Sequence, residues 1–302
     1  MERDSFGRTK DDVPSGEALM AVYDVRRKDG GAFNNLVMQE ISMRTLRTLL
    51  AILALASFTG IARASAGTNF TDQWWNPNES GWGAAILQQH DVLFIDLFVY
   101  GPDARPTWYT AALFFRSDLS GTVFSGDLAA TTGPWFGAFF DPNLVAKRKV
   151  GTIVFSATST DTAVLTYTVD GVGVTKNIER QTWAFEDFTG NYFGGFVYDQ
   201  TGCTNPANNG HVEELGSINI THGTDNSFSL QLGSNFGTCT FAGHYDQAGH
   251  MGNVSTNYTC TYGINGTVHL YEMERTGPGM TGRFFGQNNA CNVAGTFGGV
   301  ER

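Results

Sequence analysis

Residues 92–115, VLFIDLFVYGPDARPTWYTAALFF, contain the pattern that decides the fold. Two runs rich in aromatic and aliphatic residues, 92–100 and 108–115, stand on either side of Gly101-Pro102-Asp103-Ala104. Such runs are typical of strands, and Gly, Pro and Asp between them are typical of a turn. The stretch therefore predicts two consecutive antiparallel strands joined by a short turn.

The same pattern continues along the chain. Further strands are predicted at 150–157, 163–169, 172–183, 190–199, 213–222, 226–234, 236–246, 249–260, 264–274, 279–287 and 291–300. Asp170-Gly171 and Asn265-Gly266 favour tight hairpins because both pairs accept positive φ. No stretch after residue 66 predicts a helix. We expect an all-β fold of two antiparallel meander domains, about eight strands each, barrel-like (lipocalin- or avidin-like) or sandwich.

The composition changes near Glu186-Asp187. All six tryptophans precede this point, whereas all four cysteines and five of the six histidines follow it. We therefore expect a Trp-rich β-domain at 67–186 and a Cys-containing β-domain at 187–302.

An export signal is predicted at 43–66. The segment has a basic start at Met43-Arg44, an apolar run over 49–58, and small residues up to Ala66, the order typical of a secretory signal peptide. Residues 1–42 are then an over-long choice of start codon or a disordered extension. The apolar run is shorter than the roughly 20 residues of a membrane-spanning helix. The expected location is the periplasm or the outside of the cell.

The net charge restricts the class of partner. From Ser65 onward, ten Lys and Arg stand against twenty-one Asp and Glu, a net charge of −11. This charge argues against nucleic acid and anionic membrane surfaces as partners. The oligomeric state is left open.

The cysteines predict two structural disulfides. None of the four belongs to a Cys-x-x-Cys pair, so zinc and redox sites are not expected. In a meander the alternating strand direction brings all four to one end of the second domain. Pairing between adjacent strands then predicts Cys239–Cys260 and Cys203–Cys291 in an exported protein.

One segment resembles a known signature. The stretches Trp74-Trp75-Asn76-Pro77, Glu79-Ser80-Gly81-Trp82-Gly83 and Pro106-Thr107-Trp108-Tyr109 resemble those of a group of exported, uncharacterised proteobacterial proteins. That resemblance implies export and no known activity. Asp96-Leu97 departs from it, since a small residue followed by tryptophan is expected there.

These stretches supply the candidate ligand-binding residues. Indole rings stack on sugar rings and apolar ligands, and a nearby carboxylate accepts hydrogen bonds from hydroxyl groups. The candidates are Trp74, Trp75, Glu79, Trp82, Asp96, Trp108 and Tyr109. The alternative interpretation is that the tryptophans fill one end of a barrel as core.

Asp96 is the single charged residue in an apolar strand. With a four-residue turn at 101–104, Tyr100 would lie opposite Arg105 and Asp96 opposite Tyr109. Inside a lumen the Asp96 carboxyl would have a raised pKa. The alternative is a carboxylate on the outer face.

Signals for catalysis are weak. Glu79 and Asp96 could act as a carboxylate pair, but Ser80 lacks the Gly-x-Ser-x-Gly context of a nucleophile. The spacing of His244, His250 and His269 matches no metal-ligand motif. We therefore expect no catalytic residue, metal or cofactor.

Three function classes follow. The preferred one is a protein that binds a small molecule, a glycan or a partner through an aromatic-lined site in the first domain. The others are a carboxylate-dependent hydrolase of cell-wall or environmental polymer and a structural surface protein. A lumen lined by Trp and Asp96 would favour the binding protein. An open groove with facing carboxylates would favour the hydrolase, and a filled core would favour the structural protein.

Overall fold

The computed structural model describes residues 67–302. The predicted extension at 1–42 and the signal peptide at 43–66 lie outside these described residues. The described chain is all-β, and its sixteen strands form two closed eight-stranded antiparallel barrels. The prediction of two β-meanders is therefore confirmed, with both sheets closed as barrels. Within residues 67–302, no helix has the length and apolar character needed to cross a membrane.

The first barrel runs in simple up-and-down order. Its strands are β1 Asp72–Trp75, β2 Gly83–Gln89, β3 Val92–Tyr100, β4 Pro106–Phe115, β5 Thr122–Thr132, β6 Ala146–Ala157, β7 Thr162–Val169 and β8 Val172–Arg180. The sheet closes where β1 pairs with β8, with Trp74 opposite Arg180. A 3₁₀ helix, Pro142–Leu144, lies in the connection between β5 and β6.

The second barrel repeats this order. Its strands are β9 Gly190–Thr201, β10 Gly210–His222, β11 Ser227–Ser234, β12 Gly237–Ala248, β13 Met251–Cys260, β14 Asn265–Thr276, β15 Gly279–Asn288 and β16 Asn292–Glu301. The sheet closes where β16 pairs with β9. Residues 181–189 connect the barrels and include the composition change at Glu186-Asp187.

The register expected for the first hairpin is wrong by one residue. Tyr100 lies opposite Pro106, and Asp96 lies opposite Thr110. The reason is in the turn, where the Gly101 N–H donates to the Arg105 carbonyl and Ala104 adopts a φ of 59°. A three-residue connection that ends in a left-handed residue makes Gly101 and Arg105 the closing pair. The loop is one residue shorter than expected, and every partner on β4 is therefore shifted by one.

The interior of the first barrel is filled with apolar side chains. Trp74 is fully buried, and its ring lies 5.2 Å from that of Phe155, which also contacts Phe70 at 5.2 Å. Leu93, Ile95 and Leu97 of β3 point into the same core. Aromatic rings of this size account for much of the burial available in a small barrel.

Both disulfides lie at one end of the second barrel. Cys239 and Cys260 face each other across β12 and β13, with their Cα atoms 4.0 Å apart. Cys203 is bonded to Cys291, which directly precedes β16. These are the two pairs expected from the strand order, and we refer to this end of the barrel as the disulfide rim.

Glycines allow close packing next to this rim. Gly243 and Gly295 each follow a rim cysteine by four residues. A Cβ atom at Gly243 would collide with the carbonyl oxygen of Ser255, and one at Gly295 with that of Val197. Larger residues at either position would push neighbouring strands apart.

The connecting segment is hydrogen-bonded to the opposite end of the second barrel. The Gln247 side chain donates to the Ala184 carbonyl at 2.8 Å and accepts from the Glu186 N–H at 2.9 Å. The Thr182 hydroxyl accepts from the Gly249 N–H at 3.0 Å. The disulfide rim therefore remains free of this segment.

Candidate functional site

A cavity of about 350 Å³ opens at the disulfide rim. Small-molecule sites in proteins range from about 300 to 1,000 Å³, so this cavity is large enough for a small ligand. Its apolar walls come from Phe196, Val212, Leu232, Phe236, Phe241, Ile264, Val268, Phe284, Val293 and the Cys239–Cys260 disulfide. Its polar groups come from Tyr198, Gln200, Glu214, Tyr258, Tyr262 and Asn288.

Strand alternation aims these side chains inward. On β9, buried Phe196 precedes half-buried Tyr198 and Gln200 at steps of two, while Val197 and Asp199 are exposed. On β10, Glu214 is buried on the same face as Ile218, four residues later. The inner half of the barrel is filled, so the last inward positions before the rim form the cavity walls.

Aromatic rings stack along one wall. The rings of Phe196 and Phe241 are 5.5 Å apart and nearly parallel, at 5°. Tyr258 continues the stack, 5.0 Å from Phe241 at 16°, and the ring of Phe284 meets Phe196 edge-on at 5.3 Å. Such a surface favours flat apolar or aromatic ligands.

Glu214 supplies the charge of the cavity. Tyr262, in the turn between β13 and β14, donates a hydrogen bond of 3.0 Å to Oε1 of Glu214. Burial raises the pKa of Tyr262, and the nearby Glu214 carboxylate raises it further. Burial, with Glu214 and Tyr258 nearby, likewise raises the pKa of Tyr198 to about 12. Both hydroxyls stay protonated at neutral pH, and the proton of Tyr262 is already donated to Glu214.

The electrostatics of the cavity select against anions. Among the described residues that line it, none is Lys, Arg or His. A ligand carboxylate or phosphate would therefore meet Glu214 without a compensating cation, at a substantial desolvation cost. Neutral ligands, and ligands with an amine that donates to Glu214, fit this arrangement.

The cavity walls are held rigidly. The Cys239–Cys260 bond joins β12 to β13 at the wall, and Tyr262 Oη also lies 3.1 Å from Cys239 Sγ. Phe236, in the turn between β11 and β12, is 67 % exposed at the lip. The site thus combines a fixed pocket with an exposed ring at its entrance.

The structure distributes the candidate residues of the first barrel over different environments. Trp74 is core, and its Nε1–H donates to the Phe70 carbonyl at 3.0 Å. Trp75 is half-buried and lies opposite Glu179 of β8. Tyr109 packs against the core from the inner face, whereas Trp108 is 54 % exposed on the outer face, opposite Phe98.

Glu79 and Trp82 form one small cluster at an end of the first barrel. The Trp82 indole N–H donates to Glu79 Oε2 at 3.1 Å, and Lys176 Nζ lies 2.6 Å from the same oxygen. The hydrogen bond from Lys176 lowers the pKa of Glu79. Lys176 also lies 5.8 Å from the centre of the Trp82 ring. The Glu79 carboxylate is thus occupied by residues of its own barrel.

Asp96 does not point into the lumen. Ile95 and Leu97 on either side are fully buried, whereas Phe94 and Phe98 are 42 % and 41 % exposed, which places Asp96 on the outer face. Of the two interpretations left open, the inward carboxylate facing Tyr109 is therefore wrong, and the carboxylate on the outer face is confirmed. No contact in the described residues joins Asp96 to Glu79 as a catalytic pair.

The three histidines considered for a metal have separate partners. Both ring nitrogens of His250 contact carboxylates, those of Asp72 and Glu274. His244 lies 3.6 Å from Asp246 on its own strand, and His269 contacts the Ser255 hydroxyl at 3.2 Å. Within residues 67–302, no group of three or more metal-ligating side chains is assembled.

The sequence contained one signal for the second-barrel site. Val212, Ile218 and Ile220 share a face with Glu214 in the period of two, which places Glu214 on the inner face although Leu215 interrupts the polar outer face. A carboxylate on an inward position marks a candidate site. Tyr262 gave no such signal, because its direction depends on the conformation of the turn.

Comparison with known proteins gives no match to this chain among family models, curated proteins or solved structures.

Proposed function

We propose that this protein is an exported binding protein that holds a small, flat and largely apolar molecule, neutral or cationic, in the mouth of its second barrel. The observation that carries the proposal is the cavity of about 350 Å³ with stacked aromatic walls and Glu214 as its charged group. Two disulfides in the second barrel support export, since such bonds form in oxidising compartments.

Apolar contact would supply most of the binding free energy. Each aromatic ring that loses contact with water on its exposed side contributes in proportion to the area removed, at about 25 cal/mol per Å². Glu214 and the tyrosine hydroxyls would fix the orientation of the ligand by one or two hydrogen bonds. A preformed cavity avoids the cost of ordering loops on binding.

A matched pair of probes tests this chemistry. N-phenyl-1-naphthylamine is flat, neutral and fluorescent in apolar surroundings, and its 8-sulfonate differs by one negative charge. We expect the neutral probe to bind at least tenfold more tightly, because the sulfonate meets Glu214. In Glu214→Gln this preference should shrink to less than threefold, whereas Glu213→Gln, which changes the adjacent exposed carboxylate, should leave it unchanged.

A cavity-filling variant locates the probe. Val293 lines the cavity and is 5 % exposed, so Val293→Phe should occupy probe volume and weaken binding at least tenfold. Circular dichroism and the midpoint of urea unfolding establish that the variant is folded. Absence of probe binding to the native protein, or equal binding to the folded Val293→Phe variant, would refute the proposal.

A further inference from the structure

Glu272 is a buried carboxylate with one unsatisfied oxygen. Its side chain is 8 % exposed, and among residues 67–302 no hydrogen-bond partner reaches Oε1. Its other oxygen lies 3.5 Å from Arg283 Nη1, at the outer limit of a direct hydrogen bond. A buried charged group of this kind costs considerable free energy unless a donor reaches it.

The backbone holds Glu272 in this position. β14 carries one extra residue there, since Tyr271 pairs with Arg283 while Glu274 pairs with Thr281. Glu272 adopts a φ of 50°, which is costly for a residue with a side chain. Bulges re-aim side chains, and this one directs both Glu272 and Glu274 to a cavity of about 630 Å³ on the outside of the barrel.

The first described residue of the chain lies at this cavity. The Gly67 carbonyl accepts a hydrogen bond of 2.8 Å from Arg283 Nη1, the same nitrogen that contacts Glu272. Gly67 and Asn69 line the cavity together with both glutamates. A positive charge on the nitrogen of Gly67 would therefore be formed at the cavity that the two glutamates line, where Arg283 is the other charged neighbour.

The sequence provides a way to form that charge. Ala64-Ser65-Ala66 before Gly67 is the small-residue pattern that signal peptidases cleave, and cleavage after Ala66 converts the amide nitrogen of Gly67 into a free ammonium. In that hydrolysis, water adds across the Ala66–Gly67 peptide bond, and the new amine takes up a proton at neutral pH.

We propose that Glu272, assisted by Glu274, is the binding site for the α-ammonium group of Gly67 created by removal of the signal peptide. This proposal rests on export, as predicted from the sequence, and not on the ligand of the second barrel. In the uncleaved chain the nitrogen is an uncharged amide and cannot form this ion pair. Processing thus completes an ion pair between the N-terminal segment and β14.

Chemical labelling of the N-terminus tests the ion pair. The full precursor is produced in a bacterial host, purified from the exported fraction and sequenced from its N-terminus, which should be Gly67. A protonated, paired amine reacts slowly with an N-hydroxysuccinimide ester, so labelling at neutral pH should be at least tenfold slower than in urea. Glu272→Gln should remove most of this protection, and Glu213→Gln, which alters an exposed carboxylate, should retain it.

A second comparison does not depend on a folded Glu272 variant. A chain that begins at Ser65 places its ammonium two residues too early, so its unfolding midpoint should lie below that of the chain that begins at Gly67. In Glu272→Gln the two starting points should give the same midpoint. A natural N-terminus other than Gly67, unprotected labelling, or equal midpoints in the native sequence would overturn the proposal.

Native mass spectrometry separates this site from an external ligand. If a small amine from the host co-purified and was lost in Glu272→Gln, the cavity would serve that molecule and not the N-terminus. None of these outcomes concerns binding of N-phenyl-1-naphthylamine, so failure here and failure of the proposed function are distinguishable.

Discussion

Asp72 Oδ2 lies 2.7 Å from Nδ1 of His250, and this pair joins β1 of the first barrel to the turn between β12 and β13 of the second. The same oxygen accepts from the His250 backbone N–H at 3.0 Å. Arg180 contacts Asp72 at 3.1 Å, and Glu274 contacts the far side of the His250 ring at 3.1 Å. Four groups of alternating charge thus connect the two barrels.

This connection predicts a loss of stability at alkaline pH. The hydrogen bonds to Asp72 and then to Glu274 raise the pKa of His250 to about 9, from an ordinary value of 6.5. The folded state therefore holds the proton more tightly than the unfolded state. Its contribution is fully present below about pH 6.5 and is lost as the pH rises towards 9. The urea midpoint of the native protein should fall over this range.

The variant His250→Gln isolates this effect. Glutamine retains a donor but carries no charge, so the variant should be less stable than the native protein at pH 6 by about 1 kcal/mol, as expected for a partly exposed pair. At pH 9 the two proteins should have similar midpoints. If the urea midpoint of the native protein stayed constant from pH 6.5 to 9, this account of His250 would be wrong.

The strand pattern was predictable because alternation is a local property. The run at 92–100 coincides with β3, and the cysteine spacing identified both disulfides, since strand direction fixes which ends meet. The first hairpin register was not predictable in the same way. It depends on the left-handed conformation of Ala104, for which alanine carries no sequence signal.

The environments of Trp74 and Trp108 predict effects of very different size on stability when each is substituted. Trp74→Phe removes a hydrogen bond to Phe70 and leaves space in a filled core, so it should destabilise the protein by about 2–3 kcal/mol. Trp108→Phe, on the outer face, should change stability by less than about 0.5 kcal/mol. Chemical denaturation measures both. Equal effects would contradict the assignment of Trp74 to the core and Trp108 to the surface.

The connection between β5 and β6 carries unusually exposed rings. Phe136 and Phe139 are 95 % and 94 % exposed, and Trp135 is 69 % exposed. Replacing all three by serine should leave the unfolding free energy within about 0.5 kcal/mol, because Phe136 and Phe139 are almost fully exposed and the Trp135 ring contacts Phe136, which is replaced with it. Retention on a hydrophobic-interaction column should fall clearly. A lower melting temperature would show instead that the rings pack against the barrel.

The cavity on which the proposed function rests lies away from the candidate residues of the first barrel, for a physical reason. Tryptophans identify where apolar area is concentrated, but Trp74 and Phe155 show that this area fills the first barrel. A cavity arises where inward side chains fail to meet, and this depends on strand tilt and neighbouring volumes rather than on composition. The inward position of Glu214 could be predicted from strand alternation, whereas the position of its partner Tyr262 could not.

The two disulfides should contribute differently to the stability of the protein and to ligand binding. Cys203–Cys291 spans 88 residues and Cys239–Cys260 spans 21, so the chain-entropy model assigns them about 4.6 and about 3.4 kcal/mol. Replacing Cys203 and Cys291 by serine should therefore cost about 1 kcal/mol more stability than replacing the other pair. Cys239–Cys260 forms part of the cavity wall beside Tyr262, so its loss should weaken binding of N-phenyl-1-naphthylamine more strongly. If the Cys203/Cys291 variant had the larger effect on both urea unfolding and probe titration, the cavity wall would not depend on its own disulfide.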